Sequence, residues 1–387
     1  MISKQLLTDE AKNIMETVHK FCEKEFKDTL KWDAEQYMPY ELWGKMGEIG
    51  LTGIMLDSEL GGLGDDLFLA TVVMEEMAVY SPAIGMTLGA HTILAGSVIN
   101  RKGNKAQKEK YIPDIAAGKK VAALCITEPE VGCDAGHPKT KAVKKGDYYI
   151  INGNKTFITN APHADIFVVY ATTDETSKKR NVSAFIVEKG FGNITVNKLN
   201  KMGMRASPTG EVYFDNVEVP VENRLGEEGD GVYIMMSGLD VERIGLSGEN
   251  IGIMKGSLKA ASEYAAHRMQ FGRHIIKYQF IQDKLAYMYT QLELNRCYLY
   301  TLANEWNKNK GSRALRAPTA AVKLQSAKAA VKCAEEAIQI MGGAGYMQDT
   351  MPQMYWRDAK LYTIGAGTSE MMKLIIAKDL EDHYTTY

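Results

Sequence analysis

At 387 residues, 45 % of them apolar and 24 % charged, the chain is long enough for two or three domains and can bury a large core. Its formal net charge of −2 gives no support for the strongly basic surface that nucleic-acid binding brings. Five scattered cysteines (Cys22, Cys125, Cys133, Cys297, Cys333) show neither CxxC pairing nor metal-type spacing, which suits a reducing, cytoplasmic location and no bound metal.

Residues 1–120 read as helical. No apolar leader precedes Thr8, because Lys4, Asp9 and Glu10 interrupt it. Thr8 is placed to cap a helix whose Ile14, Val18, Phe21 and Cys22 share one face. Tyr40 to Ile49 repeats the pattern and stops at Gly50. Gly61-Gly62-Leu63-Gly64 resembles a phosphate loop only superficially: no strand precedes it and Asp65 and Asp66 follow, so a turn and helix cap is the better reading. Ile84 to Ile99 is the longest apolar stretch, but Thr87, His91, Thr92 and Ser97 lie within it, so a buried helix is expected and no membrane span. The lysines of 105–120 alternate with Glu109 and Asp114, as on a solvated helix face.

From residue 121 to 230 the period changes to two. Tyr148-Tyr149-Ile150-Ile151, Asn152-Gly153 and Lys155 to Thr159 read as a hairpin with an Asn-Gly turn. Short strands are expected over 166–170, 183–187, 194–196 and 211–214, so the middle third reads as a β-barrel or sandwich. From 231 to 387 long helices return. Arg316 to Met341 has Pro318 near its start and Gly342-Gly343 past its end, and a four-helix bundle is expected. Lys308, Lys310, Arg313 and Arg316 mark an exposed loop between helices. The fold class is therefore α+β multidomain: an all-α N-terminal domain, a β domain and a helical bundle.

Four segments resemble the acyl-CoA dehydrogenase family, in the family's order and over essentially the whole chain. Leu124-Cys125-Ile126-Thr127-Glu128-Pro129-Glu130-Val131-Gly132-Cys133-Asp134 resembles its first signature, and Phe157-Ile158-Thr159 its aromatic-Ile-Thr flavin contact. Arg268-Met269-Gln270-Phe271-Gly272, with Gln279 after it, resembles the segment that reaches the FAD of a neighbouring subunit. Gln339 to Gly343, followed by Arg357-Asp358-Ala359-Lys360, resembles the second signature. Leu239-Asp240-Val241-Glu242-Arg243 and Gly365-Ala366-Gly367-Thr368-Ser369-Glu370 resemble the isovaleryl-CoA dehydrogenase branch, as does Gly89-Ala90-His91-Thr92.

The resemblance implies an FAD enzyme that removes the α-proton and β-hydride of an acyl-CoA thioester and passes electrons to an electron-transfer flavoprotein. It implies a homotetramer, in fatty acid or amino acid catabolism. Where many family members carry their base, this chain has Ala366; Glu242, in the branch's alternative position, is the expected base. The Ala366 N–H would bind the thioester oxygen, with Gly367 beside it. Thr127 and Thr159 would bond the flavin edge, Arg268 the pyrophosphate, and Thr368, Ser369 and Glu370 the flavin. Glu370 is the fallback base, and His91 reads as pocket-lining or buried. Tyr233, Asp240, Arg243 and, at the CoA end, Arg180 are the expected substrate contacts. Cys133 stands where the family has serine and is a weaker donor to flavin or thioester. Gly238 and Gly245 flank Glu242 on its face and would let a flat ligand approach, whereas Gly248, Gly252 and Gly256 read as helix packing. Competing readings are an acyl-CoA oxidase or other flavin oxidase, a flavin-bearing DNA-associated protein, and a non-catalytic family member.

Overall fold

The computed structural model describes residues 2–174, 176–177 and 181–385. The N-terminal third is helical: α1 (Asp9–Glu25), α2 (Thr29–Glu35), α3 (Leu42–Glu48), α4 (Leu67–Tyr80), α5 (Pro82–Gly89), α6 (Ser97–Lys102) and α7 (Lys105–Ala116). Thr8 caps α1 by accepting from the Ala11 N–H at 3.1 Å. Asp66 caps α4 in the same way through the Leu69 N–H, so the glycines before it form a turn. A Cβ on Gly62 would lie 2.2 Å from the Leu56 carbonyl oxygen, which is why no larger residue fits there.

The apolar stretch is the buried helix expected, but it is longer than its polar interruptions suggested. α5, a π-helical turn (Ala90–Gly96) and α6 form a 21-residue helical segment, Pro82–Lys102, long and apolar enough to cross a membrane. Its most apolar stretch is nevertheless 94 % buried inside the protein, as a core helix is. His91, in the π-turn, bonds the Ile115 carbonyl through Nε2 and the Ala122 N–H through Nδ1, joining three segments. Burial lowers its pKa to about 4, so it is neutral.

The middle third holds β1 (Ala122–Cys125), β2 (Lys141–Lys145), β3 (Tyr148–Thr159), β4 (Ile166–Thr172), β5 (Val182–Glu188), β6 (Asn193–Lys198), β7 (Thr209–Pro220) and β8 (Arg224–Leu225). They form one sheet in the order β6-β7-β3-β2-β4-β5-β8, with β1 parallel to β4. Rings on strands that are not neighbours meet across the interior: Tyr149 with Phe185 at 4.9 Å and Phe167 with Phe214 at 6.3 Å. The sheet therefore closes over its own core. β4 is buried on both faces. Phe167, Val169 and Ala171 enter the β core, while Ile166, Val168 and Tyr170 pack with the helical elements.

The expected Asn-Gly hairpin is absent. β3 runs unbroken through Asn152-Gly153, and the pairing with β7 shifts there instead. Gly153 has φ 156°, and a Cβ on it would lie 2.4 Å from Thr140 Oγ1, so close strand approach forces glycine into a bulge. The turn between β2 and β3 falls at Gly146 (φ 61°).

The C-terminal third comprises α8 (Gly231–Gly245), α9 (Ser247–His267), a short ribbon of β9 (Met269–Gln270) and β10 (Arg273–His274), α10 (Gln279–Lys308), α11 (Arg316–Met341), α12 (Met351–Ala359) and α13 (Ser369–Thr385). α9, α10 and α11 pack on one another, α4 lies against α9 and α10, and α13 packs on the side of α11. Cβ atoms on Gly248 and Gly252 would lie 2.3 and 2.2 Å from carbonyl oxygens of α4, and one on Gly256 would lie 2.5 Å from the Tyr355 hydroxyl. These glycines serve close packing. The loop between α10 and α11 carries its cations on acidic partners: Lys310 on Asp65 and Arg313 on Asp382.

Candidate active site

Glu242 sits near the C-terminal end of α8, only 9 % exposed. Its carboxylate has no hydrogen-bond partner among the described residues, and burial raises its pKa to about 7, against smaller opposing pulls from Arg243 and Lys323. A carboxyl group poised near neutrality is suited to proton transfer. Of its two small neighbours, Gly238 leaves room: only a Val98 methyl would come within 4 Å of a Cβ, at 3.3 Å. Gly245 does not, because Ile93 and Leu67 fill its space. A Cβ there would lie 2.9 Å from Ile93 Cδ1. Gly245 therefore packs helices and opens nothing for a ligand.

Held by Arg243, the residue after Glu242 along α8, is a strained turn. Ala366 (φ 55°) and Gly367 (φ 90°) are both left-handed. Arg243 donates from Nε to the Ala366 carbonyl at 3.1 Å and from Nη1 to Asp240 at 2.9 Å. Lys323, on α11, donates to the Gly367 carbonyl. The Ala366 N–H has no acceptor among the described residues. Thr368 accepts from the Met371 N–H, and Ser369 donates to the Thr363 carbonyl, which sets the start of α13. Glu370 is exposed, and its own backbone N–H and the Thr368 hydroxyl hold its carboxyl below the ordinary value, the reverse of what a base needs. Burial raises Asp240, opposed by Arg243. Tyr233 is 68 % exposed with Lys102 Nζ 4.6 Å from its ring centre. Arg180 lies outside the described residues.

The first signature leaves β1. The Thr127 carbonyl accepts from the Thr156 N–H at 2.8 Å, and buried Lys155 bridges the Ile126 carbonyl (3.1 Å) and Glu128 (2.7 Å). Glu128 also accepts from the backbone of Lys139 and Thr140, pinning the base of the loop that carries Gly132 and Cys133. Leu124, Ile126 and Thr127 are half-buried and Cys133 is exposed. The pairing of β3 with β7 slips between Lys155 and Ile158, and left-handed Phe157 (φ 59°) turns its ring outward, 70 % exposed. Ile158 is the exception among these residues: its side chain is in the β core, 3 % exposed, leaving only its backbone to a ligand. The Thr127 and Thr159 hydroxyls have no partner among the described residues. A flat ligand with polar edges fits this surface: free hydroxyls, an outward ring, and open space beside Gly132.

Arg268, Gln270, Gly342 and Gly343 line a second concavity of about 510 Å³ with Tyr264, Ile275, Ile340 and Met341. Nothing lies within 4 Å of a Cβ on Gly342 or Gly343. Phe271 is 93 % exposed, Gln279 and Gln339 are exposed as well. Arg268 follows the 21-residue α9, about 30 Å long, so this group stands a helix length from the Glu242 turn in the same chain.

Lys323 is the site residue that the motifs did not show. It has a signature: in the Ala-rich α11, Thr319, Ala320, Lys323, Ala327 and Ala330 recur on the buried face, and a lysine in that series demands a partner.

Models of the N-terminal, middle and C-terminal domains of acyl-CoA dehydrogenase match residues 8–119, 123–217 and 229–381. Mitochondrial isovaleryl-CoA dehydrogenase of Oryza sativa subsp. japonica is 42 % identical over 382 residues, 98 % of this chain and 93 % of that protein. The short-chain specific acyl-CoA dehydrogenase of Clostridium acetobutylicum is 39 % identical over 96 % of this chain and 98 % of its own. The structure of butyryl-CoA dehydrogenase from Megasphaera elsdenii superposes with a TM-score of 0.93 at 36 % identity, covering 97 % of this chain and 98 % of that one.

Proposed function

Because the chain belongs to the acyl-CoA dehydrogenase family, an FAD-dependent family of oxidoreductases, we propose that it desaturates a short branched acyl-CoA with Glu242 as the proton-accepting base. The observation that carries this reading is Glu242 itself: a buried carboxyl with no hydrogen-bond partner among the described residues, raised to about 7 beside the strained turn at Ala366.

In this mechanism the Glu242 carboxylate takes the α-proton, and its poor solvation makes it a stronger base than an exposed glutamate. As the proton leaves, charge moves onto the thioester oxygen, where the unpartnered Ala366 N–H donates. Arg243 fixes that donor by holding the Ala366 carbonyl. Bound FAD supplies the hydride acceptor. Thr127, Phe157 and Thr159 would hold the flavin ring, with Thr368 to Glu370 alongside; Arg268, Gln270 and Gln339 to Gly343 would hold the distal part. Since that last group stands a helix length away, it would serve the FAD of a second copy. The exposed rings of Phe271, Phe280 and Tyr346 give such a copy apolar surface to cover. Those rings support a second copy; the family resemblance extends this reading to a homotetramer that passes electrons to an electron-transfer flavoprotein, and the scattered cysteines to a cytoplasmic site of action.

The test is anaerobic titration of the flavin-loaded protein with isovaleryl-CoA, butyryl-CoA and longer straight-chain thioesters, following the visible flavin band. Bleaching fastest with isovaleryl-CoA is expected. No bleaching with any thioester would overturn the reading. In the same assay Glu242→Gln should reduce the rate of bleaching by about 10²–10⁴-fold while flavin stays bound. Rapid peroxide formation in air would assign an oxidase instead.

A further inference from the structure

We infer that Lys323 is a positioning residue for this reaction: its buried ammonium, bound to the Gly367 carbonyl and acting on Glu242 by its charge, ties the base and the Ala366 turn to α11. The inference rests on the reading of Glu242 as base.

Lys323 is 4 % exposed on an Ala-rich helix, where an unpaired ammonium is costly. Its hydrogen bond goes to a neutral carbonyl, which satisfies one of three donors and none of the charge. The compensating charge comes from the acidic groups around it, Glu242 first and Glu370 second. Burial lowers the ammonium to about 8, so near neutral pH it is still charged opposite a carboxyl poised at about 7. The charged and titratable groups acting on Glu242 are Arg243 on its own helix, Lys323 on α11 and Tyr170 on β4. Arg243 spends its charge on Asp240 and its Nε donor on the Ala366 carbonyl, which leaves Lys323 as the cation near Glu242 with no ion pair among the described residues.

The turn gives an independent argument. A non-glycine residue at φ 55° is strained, and such strain persists only where the surroundings over-determine it. Here two consecutive carbonyls, of Ala366 and Gly367, are each held by a cation, half-buried Arg243 of α8 and buried Lys323 of α11. Loss of the α11 anchor frees one end of the turn that aims the Ala366 N–H.

Two variants separate charge from anchoring. Lys323→Met removes both; Lys323→Gln keeps an N–H donor without the charge. With isovaleryl-CoA or butyryl-CoA, whichever reacts faster, the ascending limb of the kcat/KM profile should move to higher pH by about one unit in both variants, because an opposing charge has been removed. Above the limb, Lys323→Met should stay at least about tenfold below the parent, and Lys323→Gln should recover most of that loss, an anchored N–H being worth about that much. Lys323→Arg should keep the parent limb. A limb unmoved in both neutral variants overturns the inference, whatever the plateau does. If Lys323→Met fails to fold or to hold flavin, Lys323→Gln and Lys323→Arg decide alone. Glu242→Gln runs as the control: parental turnover in that variant would sink the base assignment, whereas its inactivity beside an unmoved limb sinks only the role of Lys323.

Discussion

Glu242→Gln should make the flavin-loaded protein more heat-resistant at alkaline pH while making it slower. In the folded chain burial raises the Glu242 carboxyl from 4.5 to about 7. Folding therefore favours the protonated form. That contribution is complete below pH 4.5, where both states are protonated, and is lost as pH rises through 7. The shift of about 2.5 units corresponds to roughly 3 kcal/mol per chain. A neutral glutamine carries no such term. Relative to the parent, the variant should gain stability steadily from pH 5 to pH 8. With an unfolding entropy of about 2 cal/mol/K per residue, 3 kcal/mol spread over this chain is a rise in Tm of about 4 °C. Scanning calorimetry of both proteins, equally loaded with flavin and free of substrate, at pH 5.5, 7 and 8.5 measures it. A Tm difference that is constant across pH, or that shrinks as pH rises, refutes the claim that desolvation poises Glu242.

Three further outcomes test other parts of the structure. Adding Ala366→Glu to Glu242→Gln should restore part of the lost flavin bleaching, since a carboxylate on the turn can approach the same carbon; a double variant no faster than Glu242→Gln counts against it. Gly252→Ala should destabilise the protein by about 1–3 kcal/mol, because its Cβ would meet the Glu75 carbonyl at 2.2 Å and push α9 off α4; an unchanged or higher Tm would contradict the packing. His91→Gln should lessen acid sensitivity: burial holds the folded imidazole at about 4, so stability present above pH 6.5 is lost as pH falls toward 4. The Tm gap between parent and variant should therefore move in the variant's favour between pH 7 and 4.5, and a gap independent of pH would refute it.

Local chemistry made much of this chain legible. The Thr8 cap, the stop at Gly50, the span of α11 from Arg316 to Met341 and the packing role of Gly248, Gly252 and Gly256 all follow from backbone rules that act within a few residues. The motifs likewise pointed to Glu242 and to the substitution at Ala366 before any geometry was known. Asn152-Gly153 went wrong because its turn chemistry is local, whereas the bulge is imposed by Thr140 from across the sheet. Gly245 went wrong for the same reason: spacing names a residue, and its neighbours in space decide whether it faces a ligand or the core.

What the sequence determined alone is the family, the order of helix, sheet and helix, and the identity of the groups able to carry the chemistry, since these depend on residue type and short-range spacing. Only the tertiary structure decided how those groups act. It buried Glu242 far enough to reach about 7, set Arg243 and Lys323 on successive carbonyls of a left-handed turn, and left the Ala366 N–H without a partner among the described residues. Desolvation and charge proximity arise between segments far apart in the chain, and no window of sequence contains both sides of such a contact.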